Sequence, residues 1–242
     1  MPRSSNRQIL LANRPVGMPK ASDFLLNETS IPTPADGQVL CETLYLSLDP
    51  YMRGRMSPSK SYAKPVEINE VMTGGTVGKV IESRDPNLKA GDIVFGYGGW
   101  QDYWVHNGKT LKNVDPDIAP ISTATGVLGM PGVTAYTGLM NIGKPIKGET
   151  VVVASACGPV GSVVGQIAKF KGARSVGIAG SKEKCKYATD KFQFDHCLNH
   201  KSSEFSEELK QACPKGIDVY FENVGGKVLD SVLPLLNDFA RI

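Results

Sequence analysis

Apolar residues in the first half of the chain come in short runs that Gly and Pro interrupt. Runs of this length with turn residues between them predict β-strands, and their close spacing predicts a small, partly open β barrel. We assign this barrel to residues 1–128, with strands at residues 39–46, 77–81, 92–96 and 103–106. Residues 49–65 carry no such run, so we expect a long loop there, and long loops often carry functional sites.

The pattern changes after residue 128. Residues 151–154 form a short, wholly apolar run that suits a buried parallel strand. In residues 160–171 the apolar positions 160, 163, 164, 167 and 168 form a helical stripe. Strand and helix patterns then alternate, which predicts an α/β unit with a doubly wound parallel sheet over residues 129–242. Its further strands are predicted at 175–179, 194–198 and 217–221, and its further helices at 182–192, 205–213 and 227–236.

Residues 240–242 look like the opening of a fifth strand. A dinucleotide-binding sheet of this kind has six strands, so we expect the second domain to be incomplete at its C-terminus. An incomplete sheet exposes apolar surface. We therefore expect the 242-residue chain alone to be a poor enzyme and a longer form to be active.

The turn after the first strand of the second half has the composition of a phosphate-binding turn. It reads Ser-Ala-Cys-Gly-Pro-Val-Gly over residues 155–161, a Gly-x-Gly-x-x-Gly pattern with Ala156 in the first glycine position. Gly158 lets a pyrophosphate approach the backbone, Gly161 lets the helix pack against the strand, and the helix N-terminus offers unpaired N–H groups. A plain tight turn between strand and helix is the alternative interpretation.

The residues after the second strand bear on the choice between NAD and NADP. An NAD-binding turn usually carries an acidic residue there for the ribose hydroxyls. This chain instead has Gly180 and Ser181, followed by Lys182 and Lys184, which could hold a 2′-phosphate. The pattern favours NADP(H), and the alternative is a solvated helix start whose lysines bind nothing.

Composition narrows the class of protein. The chain has 242 residues, of which 41% are hydrophobic and 21% charged, and its formal net charge is +3. Such a small charge without a basic run argues against nucleic acid as a partner. The sequence contains no signal peptide and no apolar stretch of membrane-spanning length, which argues against a membrane. The five cysteines form no CxxC pair, so we expect free thiols and a cytoplasmic location.

Several segments together resemble a known family. They are LYLSLDPYMRGRM (44–56), TGGTVGKV (73–80), VLGMPGVTAYTGL (127–139), KGETVVVASACGPVGSVVGQIAKFKG (147–172), AGSKEK (179–184) and FENVGG (221–226). They are similar to the zinc-free branch of the medium-chain dehydrogenase/reductases, which includes prostaglandin, alkenal and curcumin reductases. The resemblance implies a GroES-like domain followed by a Rossmann domain, NADPH as cofactor, and reduction of the carbon–carbon double bond of α,β-unsaturated ketones and aldehydes. A homodimer is a possible assembly of the full-length form.

The resemblance also implies site residues. Those implied to bind the cofactor are Thr134, Gly158, Pro159, Val160, Gly161, Ser181, Lys184, His200 and Asn223. His200 stands one residue away from a position where the family often has a tyrosine. Those implied to bind the substrate are Tyr51, Tyr62 and Met130. The tyrosine that assists catalysis in the family is expected beyond Ile242, so no catalytic residue is assigned.

No metal site is predicted. The segment 73–76 reads Thr-Gly-Gly-Thr, without the His and Glu of the zinc-dependent branch, and the three histidines have no ligand spacing with the cysteines. Arg53 and Arg55 could bind an anionic substrate or only water. Three rival functions remain at this point: a zinc-free quinone reductase, an alcohol dehydrogenase, and a non-catalytic dinucleotide-binding fragment.

Overall fold

The computed structural model describes residues 4–242, which form two compact units, residues 4–125 and 126–242. The predicted fold class is confirmed: an antiparallel β unit is followed by a parallel sheet with helices. The domain limits 1–128 and 129–242 stay a prediction. In the described part of the chain, no helix combines the length and the apolar character that a membrane span requires.

The first unit is built on a five-stranded antiparallel sheet and a separate two-stranded one. The larger sheet has the order β6-β3-β4-β5-β7, and the smaller one pairs β1 with β2. The strands are β1 (Asn6–Leu11), β2 (Phe24–Thr29), β3 (Gln38–Leu46), β4 (Thr76–Ser83), β5 (Ile93–Gly96), β6 (Tyr103–Asn107) and β7 (Lys112–Asn113). Short 3-10 helices lie at Ala21–Asp23, Gly108–Thr110 and Ile121–Thr125. None of the strands β1, β2 and β7 was predicted from the sequence.

The segment 49–65 is not a loop throughout, so that prediction is wrong in part. It contains helix α1 (Tyr51–Arg55), which begins after Pro50. Met52 and Met56 are buried together with Leu11, Val66 and Met72 in a core of their own. Leu11, Val66 and Met72 are each more than ten residues from α1 in the sequence. Their packing against Met52 and Met56 explains a helix that the local sequence pattern did not indicate.

The second unit is a parallel sheet of five strands in the order β10-β9-β8-β11-β12. Its strands are β8 (Thr150–Ala154), β9 (Arg174–Ala179), β10 (His196–Asn199), β11 (Ile217–Phe221) and β12 (Leu236–Arg241). Its helices are α2 (Met130–Thr137), α3 (Gly161–Phe170), α4 (Lys182–Phe192), α5 (Phe205–Ala212) and α6 (Gly226–Val232). A π-helical turn, Gly138–Gly143, continues α2.

Alternate residues of β8 point to opposite faces of this sheet, and helices cover both. Val152 and Ala154 pack in a core that includes Phe205 of α5 and Val232 of α6. Val151 and Val153 pack on the other face, in a core formed with residues of α2, α3 and α4. A strand buried on both faces has to be wholly apolar, which explains the uninterrupted hydrophobic run at residues 151–154.

The boundaries of three predicted elements in the second unit are wrong. The helix predicted at 227–236 ends as α6 at Val232 and is followed by a 3-10 turn, Leu233–Leu235. Pro234 lies in that turn, and proline cannot continue an α-helix interior. The last strand therefore begins at Leu236 and not near residue 240. The strand predicted at 194–198 is shifted to His196–Asn199. Phe194 precedes it and is buried in the core that also contains Val164 of α3 and Ala188 of α4.

Candidate cofactor and substrate sites

The turn between β8 and α3 is held by backbone hydrogen bonds. Ala156 donates its N–H to the carbonyl of Ile178 at 2.9 Å, and Gly158 donates to the carbonyl of Ser155 at 2.8 Å. Ser155 has a positive φ of 56°, which turns the chain sharply as it leaves the strand. The predicted strand–turn–helix context of the glycine pattern is therefore present.

A side chain on either of two glycines in this turn would press against Ser155. A Cβ on Gly161 would lie 2.2 Å from the carbonyl oxygen of Ser155, and one on Gly158 would lie 2.9 Å from the Ser155 Oγ. The residue that caps α3, Val160, has no side-chain acceptor for the N–H groups of the first turn. The ten-residue helix thus begins without a side-chain cap beside a tightly packed glycine turn, and the N–H groups of Ser162 and Val163 in its first turn donate to the carbonyls of Gly158 and Val160. A helix N-terminus next to such a turn suits a phosphate group.

The start of α4 carries the residues predicted to read the 2′-phosphate. Ser181 caps this helix, and its Oγ accepts a hydrogen bond from the Lys184 N–H at 3.3 Å. Glu183 lies here too, and its pKa is lowered by hydrogen bonds from its own backbone N–H and from the Ser181 hydroxyl. This carboxylate was not among the residues predicted to lie near the phosphate. Lys182 and Lys184 flank it and are both exposed.

His200 lies next to the same helix start. Its N–H donates to the carbonyl of Ala179, the last residue of β9, at 3.0 Å. Its ring Nε2 lies 3.4 Å from the point where a Cβ on Gly180 would be. The structure therefore brings His200 to the end of β9, next to the residues predicted to bind the 2′-phosphate.

Asn223 bridges two strand ends. It follows β11, and its Nδ2 donates to the carbonyl of Ala154, the last residue of β8, at 3.0 Å. The order of strands reverses between β8 and β11, and in doubly wound sheets ligands bind at this switch point, outside the carboxyl ends of the strands. The predicted cofactor residues of the phosphate turn, the α4 start and the β11 end thus all lie at the carboxyl edge of one sheet.

Met130 and Thr134 lie on α2, which packs against α3. Both side chains are exposed, while Ala135 and Leu139 of the same helical stretch are buried. The two residues are therefore free to contact a ligand, and their assignment to the cofactor and substrate stays a prediction.

The first unit brings Tyr51 and Tyr62 together through an arginine. The guanidinium carbon of Arg55 lies 5.7 Å from the ring centre of Tyr51 and 4.7 Å from that of Tyr62. The hydroxyl of Tyr51 is buried and has no hydrogen-bond partner among the described residues. Burial is the main cause that raises the pKa of Tyr51, with the Asp49 carboxylate adding to it. Tyr62 is 87% exposed.

Comparisons with known proteins extend over nearly the whole chain. Residues 7–114 match a family described as the N-terminal domain of oxidoreductase, and residues 159–242 match one described as zinc-binding dehydrogenase. The NADPH-dependent curcumin reductase of Escherichia coli (strain K12) is 56% identical over 240 residues, which cover 99% of this chain and 70% of the relative. The chain belongs to the zinc-free branch of the medium-chain dehydrogenase/reductases. It is accordingly an oxidoreductase of this branch.

Two further relatives agree with this placement in the medium-chain dehydrogenase/reductases. The NADP(+)-dependent 2-alkenal reductase of Nicotiana tabacum is 44% identical, with 98% of this chain and 71% of the relative covered. The crystal structure of CurA from Vibrio vulnificus in complex with NADPH has 55% identity and a TM-score of 0.91 over 97% of this chain and 69% of that structure.

One of the two family descriptions names zinc. Residues 4–242 contain no group of three or more His, Cys, Asp or Glu side chains that could hold a metal ion. His106, for example, faces Thr110, with its Nδ1 at 2.8 Å from the threonine hydroxyl oxygen. Independence from zinc stays a prediction.

Sequence reasoning missed one contact that links the phosphate turn to α4. The Cys157 thiol donates to the backbone carbonyl of Lys184 at 3.0 Å. Burial raises the pKa of this thiol, so it remains a donor at neutral pH. The position of Cys157 between Ala156 and Gly158 was visible in the sequence, but nothing local indicated a partner 27 residues away.

Proposed function

We propose that this protein is an NADPH-dependent reductase that acts on the carbon–carbon double bond of α,β-unsaturated ketones and aldehydes. The observation that carries the proposal is the glycine turn at Gly158 and Gly161, with a helix N-terminus that has no side-chain cap, at the switch point of the sheet. The names of its relatives, a curcumin reductase and a 2-alkenal reductase, support the substrate class.

The residues present fit the cofactor. Gly158, Pro159, Val160 and Gly161 would hold the pyrophosphate at the start of α3, with Asn223 beside them. Lys184 and Ser181 would hold the 2′-phosphate, with Lys182 offsetting the charge of Glu183, and His200 would contact the adenosine half. Thr134 would lie near the nicotinamide. When bound, NADPH supplies the hydride for the reduction.

The chain's own task in the reaction is to stabilise charge on the substrate. As an enone is reduced at its double bond, negative charge develops on the carbonyl oxygen and needs a hydrogen-bond donor. We assign Tyr51 to this position because its hydroxyl has no partner among the described residues. A tyrosine hydroxyl is protonated at neutral pH, and burial raises the pKa of Tyr51 further, so the hydroxyl can donate. Tyr62 and Met130 would contact the rest of the substrate.

The compartment and assembly belong to the proposal as well. The five cysteines are all unpaired in the structure, which suits a reducing compartment and supports the cytoplasm. The proposed partner is a small-molecule enone, and nucleic acid and membrane are not proposed as partners. A homodimer of the full-length form remains a prediction.

The test is steady-state oxidation of NADPH in the presence of benzalacetone, a simple conjugated enone, with a quinone as competing substrate. The proposal expects oxidation with the enone and much slower turnover with NADH. The Tyr51→Phe variant should lower kcat/KM for benzalacetone, while NADPH binding stays unchanged. A protein that oxidises NADPH with the quinone and leaves the enone untouched would contradict the proposal.

A further inference from the structure

Helix α1 carries two arginines whose surroundings differ. Arg53 donates its Nε and Nη2 to the carbonyl of Gly17, at 3.2 and 3.1 Å, and its Nη2 to the carbonyl of Pro15 at 3.0 Å. These bonds tie α1 to the segment between β1 and β2. Arg53 is therefore satisfied by the backbone and has a structural role.

Arg55 has no such partners. Its side chain makes no hydrogen bond or ion pair with any residue between 4 and 242, and it is half-buried. It contacts the rings of Tyr51 and Tyr62 instead. A ring attracts the charge of a guanidinium but does not satisfy its five N–H donors. Arg55 is thus a cation beside two aromatic rings, with its donors unused by the described residues.

The segment that carries Arg55 is rich in basic residues. Residues 50–66 contain four basic side chains, those of Arg53, Arg55, Lys60 and Lys64, and no acidic one. Of the two carboxylates that flank this segment, that of Glu67 is paired with Arg14 at 3.0 Å, and that of Asp49 is close enough to Tyr51 to raise the pKa of its hydroxyl. An anionic group that reaches Tyr51 and Tyr62 would therefore meet the basic side chains of this segment and repulsion from one flanking carboxylate, that of Asp49.

We propose that Arg55 is a specificity-determining residue that binds a carboxylate on the substrate. The planar fork of a guanidinium matches a carboxylate with two parallel hydrogen bonds, and this guanidinium lies beside the two tyrosines proposed to contact the substrate. The preferred substrate is then an enone that carries a carboxylate elsewhere in the molecule. This inference rests on the proposed function, because it takes Tyr51 and Tyr62 as substrate contacts.

The experiment compares benzalacetone with its para-carboxylate in the wild type and in three variants. The Arg55→Met variant removes the charge, Arg55→Lys keeps the charge without the fork, and Arg53→Met is the matched control on the same helix. Two quantities are measured: the ratio of kcat/KM for the carboxylate to that for benzalacetone, and, by calorimetry, the Kd of the saturated carboxylate, which binds without being reduced.

We expect the ratio to fall about ten-fold or more in Arg55→Met, chiefly through KM, since a charge-assisted hydrogen-bond pair is lost. The Kd of the saturated carboxylate should rise by a similar factor, and Arg55→Lys should recover part of both. Arg53→Met should lower the melting temperature and leave the ratio near the wild-type value.

Three results distinguish a failure of the proposed role of Arg55 from a failure of the proposed function. If the wild type reduces benzalacetone but the ratio and the Kd are unchanged in Arg55→Met, the role of Arg55 is overturned and the proposed function stands. If the two methionine variants lower the ratio equally, the effect is structural and the role of Arg55 is again overturned. If the wild type reduces no enone, the proposed function fails, and the calorimetric comparison alone decides whether Arg55 binds carboxylates.

Discussion

Replacing Gly161 by Ala should damage both the stability of the second unit and its affinity for NADPH. The added Cβ would lie 2.2 Å from the carbonyl oxygen of Ser155 and 2.8 Å from the carbonyl carbon, whereas ordinary contact begins near 3.4 Å. Both atoms belong to the backbone, so no side chain can rotate away. Either the start of α3 or the end of β8 must move, although both pack in the core of the sheet.

Overpacking of this kind costs roughly 1–3 kcal/mol. For a chain of this size each kcal/mol lowers the melting temperature by about 2–4 °C, so Gly161→Ala should melt roughly 2–12 °C below the wild type. The shift also moves the N–H groups at the start of α3 away from the pyrophosphate, and we expect NADPH affinity to fall about ten-fold, the equivalent of ~1.4 kcal/mol. Calorimetric melting and titration of the cofactor measure the two effects.

Gly54→Ala is the control. No atom lies within 4 Å of a Cβ at Gly54, and the residue is in helix α1 without a positive φ. Alanine is a better helix former than glycine by up to about 1 kcal/mol, so this variant should melt at or above the wild-type temperature and bind NADPH unchanged. If Gly161→Ala melts with the wild type and binds NADPH equally well, the account of the phosphate turn is wrong.

Three further predictions concern charge and metal. Lys184→Ala should weaken NADPH binding by roughly 1–3 kcal/mol, the range for a hydrogen bond to a charged group, and leave NADH binding nearly unchanged; an equal loss for both cofactors would show that Lys184 does not read the phosphate. Protein purified without added metal should contain no stoichiometric zinc and keep its activity with a chelator, and activity that is lost on chelation and restored by zinc would refute this. The pKa of Glu149 is lowered from its ordinary value of 4.5, chiefly by hydrogen bonds from Arg241. Around and below pH 4.5 the unfolded state therefore binds more protons at Glu149 than the folded state does. The ion pair stabilises the fold above pH 4.5, and this stabilisation is lost as the pH falls below that value. Glu149→Gln should melt at a lower temperature than the wild type at pH 7, and its melting temperature should fall less when the pH is lowered below 4.5. Melting temperatures equal to those of the wild type at pH 7 and below pH 4.5 would contradict this.

Local signals predicted much of the second unit. The helix predicted at 182–192 is observed as Lys182–Phe192, and the strand predicted at 217–221 as Ile217–Phe221. Ser181 caps that helix, and Gln193, in the left-handed region with φ 60°, ends it. Such signals lie within a few residues of the element they define, which makes them readable from sequence. The phosphate turn was predictable for the same reason.

Features that depend on distant residues were not predictable in this way. Helix α1 exists because Met52 and Met56 are buried against residues from other parts of the first unit. The difference between Arg53 and Arg55 comes from carbonyls more than 35 residues earlier in the chain. The Cys157–Lys184 contact joins two elements that the sequence shows separately. In each case the residue was visible, but its partner was set by the tertiary fold.

The central claim is that this protein delivers a hydride to the carbon–carbon double bond of an enone. The most direct measurement uses NADPH deuterated at the transferable position of the nicotinamide ring, benzalacetone as substrate, and NMR of the isolated product. The account predicts a saturated ketone with deuterium on the carbon β to the carbonyl. An allylic alcohol with deuterium on the former carbonyl carbon would contradict it.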